Sequence, residues 1–121
     1  MCGIAGIMTL SAGAAPPSRE ALMRMVGALV HRGPDEQGLY RDEHAGLAHA
    51  RLSIIDLAHG QQPLADTRGT MWIVFNGEIF NYVELRATLV SLGFRFRTLS
   101  DTEVIVQAYC AWRAAAFERM K

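Results

Sequence analysis

The sequence predicts an α+β domain, on three observations. Short apolar runs are interspersed with stretches whose apolar residues recur every three or four positions. The two kinds of segment do not follow the regular strand-helix-strand order of a doubly wound parallel sheet. Half of the 121 residues are hydrophobic and a fifth are charged, which suffices for a core and is not the composition of a disordered chain.

In order along the chain, residues 2–8 read as a short apolar strand in which Gly3 and Gly6 leave room for a close neighbour. Residues 11–17 (Ser-Ala-Gly-Ala-Ala-Pro-Pro) form a loop. Ser18 caps a helix running to about residue 31, with Leu22, Met25, Val26, Leu29 and Val30 on one face. Gly33-Pro34 stops it. Residues 47–57 read as extended chain, broken by Gly60-Gln61-Gln62-Pro63, and 71–75 as a second strand dense in large apolar side chains. A helix spans 82–92 and ends at Gly93, and 94–98 reads as a short alternating strand. Ser100-Asp101-Thr102-Glu103 has capping-box spacing and opens a last helix, on which the chain ends at Lys121. Its stripe is Val104, Ile105, Ala108, Tyr109 and Trp112, and Glu103 is expected to do no more than cap.

The length allows one domain of ordinary size. Twelve basic and twelve acidic residues balance, without a basic run, so nucleic acid and anionic membrane surfaces are not expected partners. No secretory signal and no bilayer-length apolar run is present. Two cysteines make no disulfide framework. A soluble, reduced, cytoplasmic protein is the expectation. His44, His49 and His59 lack metal-ligand spacing and no metal site is expected; Cys110, among Ala108, Tyr109 and Ala111, reads as inert packing. Neither a dinucleotide nor a P-loop glycine motif occurs.

Cys2 carries the strongest chemical signal. Removal of Met1 would make it the N-terminus, so nucleophile and α-amine would share one residue. An α-amine titrates near ~8 and can take a proton at neutral pH. A thiol needs only modest activation to attack a carbonyl. Taken alone, Cys2 reads as readily as a small packing residue in an apolar strand. The other polar segments are equally two-sided. His31-Arg32-Gly33-Pro34-Asp35 is a helix stop, and Asn76-Gly77 is a common tight-turn pair. Arg51, among Leu52, Ile54 and Ile55, either pairs with Asp56 or clamps a carboxylate bidentately.

In register, these segments agree. Cys-Gly-Ile at the start, His31 to Asp35, Arg51-Leu52-Ser53-Ile54-Ile55-Asp56, Gly60-Gln61-Gln62-Pro63-Leu64, Asn76-Gly77-Glu78-Ile79-Phe80-Asn81-Tyr82 and Ser100 to Ile105 occur in this order. The chain thereby resembles the N-terminal glutaminase domain of glutamine-hydrolysing asparagine synthetases, a class II glutamine amidotransferase of the N-terminal-nucleophile type. Other class II families share the Cys-Gly-Ile start but generally lack the Gly-Pro-Asp and Arg-Leu-Ser-Ile segments.

The resemblance implies a four-layer αββα sandwich. It implies that Cys2 attacks the glutamine side-chain amide, and that Asn76 and the Gly77 N–H form the oxyanion hole. Arg51 would hold the substrate α-carboxylate, with Leu52, Ser53, Ile54 and Ile55 lining the pocket, Asp101 taking the α-ammonium and Glu78 a second polar wall. His31 to Asp35 is expected to support the pocket without a catalytic role. L-Glutamine is the implied substrate, and this chain needs no cofactor of its own. Family members also carry a synthetase domain using ATP and Mg, absent from these residues. It would spend the ammonia on aspartate or a related carboxylate acceptor, and a homodimer is compatible with the family. The family's glutaminase domain continues beyond this point, so residues 1–121 are expected to be its N-terminal portion. The competing expectation is an inactive fragment or a domain that only binds; a chain keeping Met1 would be catalytically dead.

Overall fold

A computed structural model describes residues 2–11, 13–53 and 60–121. The expectations for Ile54, Ile55, Asp56 and the rest of the extended run to 57 lie outside the described residues, as does Met1. The described residues fall into two compact units. The first takes in residues up to Ser53 together with Gln61–Pro63 and Val74–Asn76; the second takes in Leu64–Ile73 and Gly77–Lys121.

The first unit contains β1 (Gly3–Met8), α1 (Arg19–Ala28), β2 (Glu36–Arg41) and β3 (Ala45–Arg51). The strands form an antiparallel sheet in the order β1-β3-β2. The expected first strand is present. Ser18 caps α1 as expected, its Oγ accepting from the Ala21 N–H at 3.3 Å. The helix ends at Ala28, short of residue 31, and tightens into turns in which Arg32 N–H donates to Leu29 and Gly33 N–H to Val30. Leu29 there covers Gly3, where an added Cβ would lie 2.8 Å from the Leu29 Cβ.

Period-two alternation gives the sheet two unlike faces. One carries Ala48 and Ala50 against Leu22 and Val26 of α1, with Ala5, Ile7, Leu29 and Leu39 packed around them. Burying Leu22 and Val26 contributes roughly 1.5–3 kcal/mol each. The other face carries Ile4, His49 and Arg51, and from β2 Glu36 and Gly38; Glu36 pairs with Arg51 and Gly38 with His49.

Strand β2 was not expected from sequence. Its residues, Glu-Gln-Gly-Leu-Tyr-Arg, lack an apolar alternation. The β2–β3 turn is fastened by Asp42, whose Oδ1 accepts from the His44 and Ala45 N–H groups at 2.7 Å each, while Oδ2 accepts from the Tyr40 hydroxyl at 2.7 Å. The tyrosine bond, then the two amides, hold the Asp42 carboxyl down at about 2, and the same bond raises Tyr40. What this carboxylate adds to stability is therefore complete above the ordinary aspartate range, near ~3.9, and is lost as pH falls. Carboxyl-detected NMR titration should place the Asp42 midpoint at about 2; a midpoint at the ordinary value would contradict the turn geometry.

The second unit contains β4 (Leu64–Ala65), β5 (Trp72–Ile73), α2 (Tyr82–Ser91), α3 (Asp101–Trp112) and a 3₁₀ helix over Arg113–Arg119. Strands β4 and β5 pair antiparallel. The strand expected over 71–75 is only Trp72–Ile73. On one side the buried Asp66 carboxylate takes the Thr70 and Met71 N–H groups, and on the other the Phe75 N–H goes to a side chain. Helix α2 stops where expected, with Gly93 at φ +91°.

Four expectations fail here. Residues 94–98 are not a strand. The Phe94 N–H turns back to the Leu89 carbonyl at 3.0 Å, and Glu103 accepts from the Arg97 N–H at 2.9 and 3.1 Å, the Thr98 N–H at 2.7 Å and the Thr98 hydroxyl at 2.7 Å. Glu103 is thus much more than a cap. Ser100 does cap, accepting from the Glu103 N–H at 3.2 Å. The last helix ends at Trp112 rather than running to Lys121, because Arg113 adopts φ +53° and breaks it. Residues 101–108 of α3 are buried on all sides, polar Thr102, Glu103 and Gln107 included, not along one stripe.

Both units combine helices with antiparallel strands, in keeping with the α+β class expected. No helix among the described residues is long and apolar enough to cross a membrane.

Candidate functional site

Cys2 immediately precedes β1 and continues its register one step beyond the Gly3–Ala50 pair, opposite Arg51. Its sulfur meets the backbone that follows Arg51: Sγ accepts from the Leu52 N–H at 3.3 Å and lies 3.6 Å from the Leu52 carbonyl oxygen. The Arg32 Nε–H donates to the Cys2 carbonyl at 3.1 Å. Cys2 is therefore held at its sulfur and at its backbone, and it is half-buried.

The Arg51 side chain is 5 % exposed, and its Nη1 donates to Glu36 Oε2 at 2.7 Å. A guanidinium buried to this extent needs such a counter-charge, and the strand register supplies it directly across the ladder. Ser53 is fixed by Asp35, whose Oδ2 accepts its N–H at 2.7 Å. Leu52 and Ser53 are half-buried.

The loop 31–35, expected only to support, ties down two parts of this constellation, through Arg32 at Cys2 and Asp35 at Ser53. Gly33 makes the fit possible: a Cβ there would collide with the Ala50 carbonyl.

Asn76, half-buried, closes the segment Val74–Asn76 in the same unit. The preceding residue, Phe75, donates its N–H to Gln62 Oε1 at 2.6 Å, and its backbone neighbours His49. His49 is 1 % exposed, and neither ring nitrogen has a hydrogen-bond partner. Burial holds its pKa below the ordinary value, and the Arg51 charge adds to that. The ring is buried on the same sheet face as Arg51.

Gly77, Glu78 and Asp101 belong to the second unit. Gly77 and Glu78 are exposed. Asp101 is 6 % exposed, and its Oδ2 accepts from the Ile79 N–H at 3.2 Å, which fastens the loop carrying Gly77 and Glu78 to the first turn of α3. Sequence reasoning missed Glu36 and any role for Gln62, and expected the 31–35 loop to support the pocket without naming Arg32 and Asp35 as the tethers. Glu36 could have been found only by recognising β2.

The described residues hold no cluster of three or more His, Cys, Asp or Glu that could bind a metal ion. Cys110, in α3, lies 3.9 Å from Asp66 Oδ2, and burial followed by that charge raises its pKa, so it is a poor nucleophile.

Residues 1–121 match the family described as the glutamine amidotransferase domain. Asparagine synthetase [glutamine-hydrolyzing] 1 of Bacillus subtilis is 43% identical over 122 residues, covering 100% of this chain and 19% of that protein. Asparagine synthetase [glutamine-hydrolyzing] 2 of the same organism is 46% identical, covering 90% of this chain and 14% of that protein. Asparagine synthetase B [glutamine-hydrolyzing] of Escherichia coli is 40% identical, covering 90% and 19%. The chain thus spans a fifth or less of each of these three relatives.

Proposed function

Given that this chain belongs to the glutamine amidotransferase domain family, we propose that it hydrolyses L-glutamine to glutamate and ammonia, with Cys2 as nucleophile. The Cys2 sulfur, once Met1 is removed, attacks the side-chain amide carbon. The residue's own α-amine takes the thiol proton and passes it to the departing nitrogen, which leaves as ammonia. Water then attacks the γ-glutamyl thioester, releasing glutamate and restoring the thiol. The Asn76 side-chain amide and the Gly77 N–H stabilise the oxyanion in both steps, a contribution of about 10²–10³ in rate for a single donor.

Arg51 binds the α-carboxylate and Asp101 the α-ammonium, so both ends of a free amino acid are recognised. Leu52, Ser53, Ile54, Ile55 and Glu78 complete the pocket. The observation that carries this reading is the seating of the Cys2 sulfur on the backbone of Leu52, the residue after Arg51, whose buried guanidinium is held by Glu36.

In this proposal the domain has the four-layer sandwich of N-terminal-nucleophile hydrolases and is the N-terminal portion of a longer cytoplasmic enzyme that can form a homodimer. A C-terminal synthetase domain of that enzyme, using ATP and Mg, takes the ammonia to amidate aspartate to asparagine or to amidate a related carboxylate.

Arg51→Lys tests the clamp. It keeps the charge and loses the fork. Initial rates of ammonia release against glutamine concentration should show KM raised about tenfold or more, with a smaller change in kcat. An unchanged KM would remove Arg51 from the substrate site.

A further inference from the structure

By sequence the segment Gly60-Gln61-Gln62-Pro63 is a chain break and part of the family resemblance, with no role for Gln62; in the structure Gln62 is a strut. Its Oε1 accepts the Phe75 N–H at 2.6 Å, at the residue before Asn76. Phe75 lies past the end of β5, so this donor has left the strand ladder. The backbone of Gln62 is seated on β2, where a Cβ on Gly38 would run into the Gln62 carbonyl oxygen. Gly38 stands opposite His49, on the sheet face that carries Arg51. Gln61, next in line, has its Nε2 3.5 Å from Glu36 Oε1, the carboxylate that grips Arg51. One short segment therefore connects the sheet under the nucleophile to the backbone that carries Asn76.

We propose that Gln62 is a positioning residue for oxyanion stabilisation. Its amide oxygen fixes the Phe75 peptide and thereby the direction of the Asn76 side chain. Gly38 is glycine because any side chain would displace this strut. The inference rests on the oxyanion role proposed for Asn76. The physical reason for an effect at a distance is that such donors act only when held within about 0.5 Å of the right place, and a 1 Å error costs on the order of 10²-fold.

The test uses the protein freed of Met1, with Gln62→Met, Gln62→Glu, Gln62→Asn and Asn76→Ala compared. Gln62→Met keeps the length and removes the acceptor; Gln62→Asn keeps the amide and loses reach. Both should lower kcat for ammonia release roughly tenfold, with KM within about twofold. Gln62→Glu, which keeps an acceptor oxygen, should recover most of the rate. Glutamine affinity measured by calorimetry in a Cys2→Ala background should be the same with Gln62 and with Gln62→Met. The proposal is overturned by an unchanged kcat in Gln62→Met and Gln62→Asn, by a loss expressed equally as weaker glutamine binding, or by Gln62→Glu failing to recover. Melting curves show whether Gln62→Met folds; if it does not, Gln62→Asn and Gln62→Glu decide by the same criteria. A loss at Asn76→Ala without one at Gln62 overturns the strut alone. A wild-type rate in Asn76→Ala overturns the oxyanion assignment and the strut with it.

Discussion

Replacing Cys2 by alanine should reduce glutamine-dependent ammonia release by about 10⁴-fold or more, the scale on which nucleophile removal acts in hydrolases that form acyl intermediates. The loss should be in kcat. Arg51 keeps its Glu36 partner in the variant, since that bond does not involve the sulfur. Glutamine affinity should therefore change by less than about tenfold, because the charged clamp remains. Stability should change little: Cys2 is half-buried and its sulfur makes only weak bonds to Leu52. Ammonia release by Cys2→Ala at the parental rate would show that the chemistry lies elsewhere. A binding-only domain would show glutamine affinity with no turnover in either protein.

The largest effect on stability should come from Glu103. The residue is fully buried, and its carboxylate is the acceptor for two backbone N–H groups and a hydroxyl of residues 97–98. It also sits in the first turn of α3, where the exposed amide ends of a helix favour negative charge. The Arg97 guanidinium, at 4.0 Å and more than half exposed, adds little. Glu103→Ala would empty a fully buried site and remove the shared acceptor of the Arg97 and Thr98 donors, at a cost of about 2 kcal/mol or more. Thermal unfolding should shift down by roughly 10 °C or more. Glu103→Gln, which fills the space and keeps one acceptor, should fall between the two. An alanine variant that melts with the parent would mean residues 94–98 find other partners.

The contrast between these two residues shows what a sequence conveys. Cys2, Arg51 and Asn76 carry distinctive chemistry in distinctive order, which is why the residues themselves nominate a candidate site. The Ser18 and Ser100 caps, the strand from Gly3 and the stop at Gly93 are legible because local rules govern them. Glu103 looks like a cap in the sequence because only its spacing to Ser100 is visible there. That its carboxylate takes the donors of 97–98 depends on a bend at Arg97 and Thr98 that no periodicity encodes. Strand β2 is hidden for a related reason: its face is polar because Glu36 must meet Arg51, and its centre is glycine because Gln62 crosses it. Pairing that serves a site need not leave the alternating signature of pairing that serves a core.

In the proposed reaction the Cys2 thiol, beside its own α-amine, forms the covalent intermediate. Acid-quenched reactions with glutamine, digested and mapped by mass spectrometry, test it most directly. One γ-glutamyl group is expected on Cys2 of the chain that has lost Met1, with none on a chain that keeps it. A γ-glutamyl group on any other residue, equal labelling of both chains, or full ammonia release with no adduct on Cys2 would contradict it.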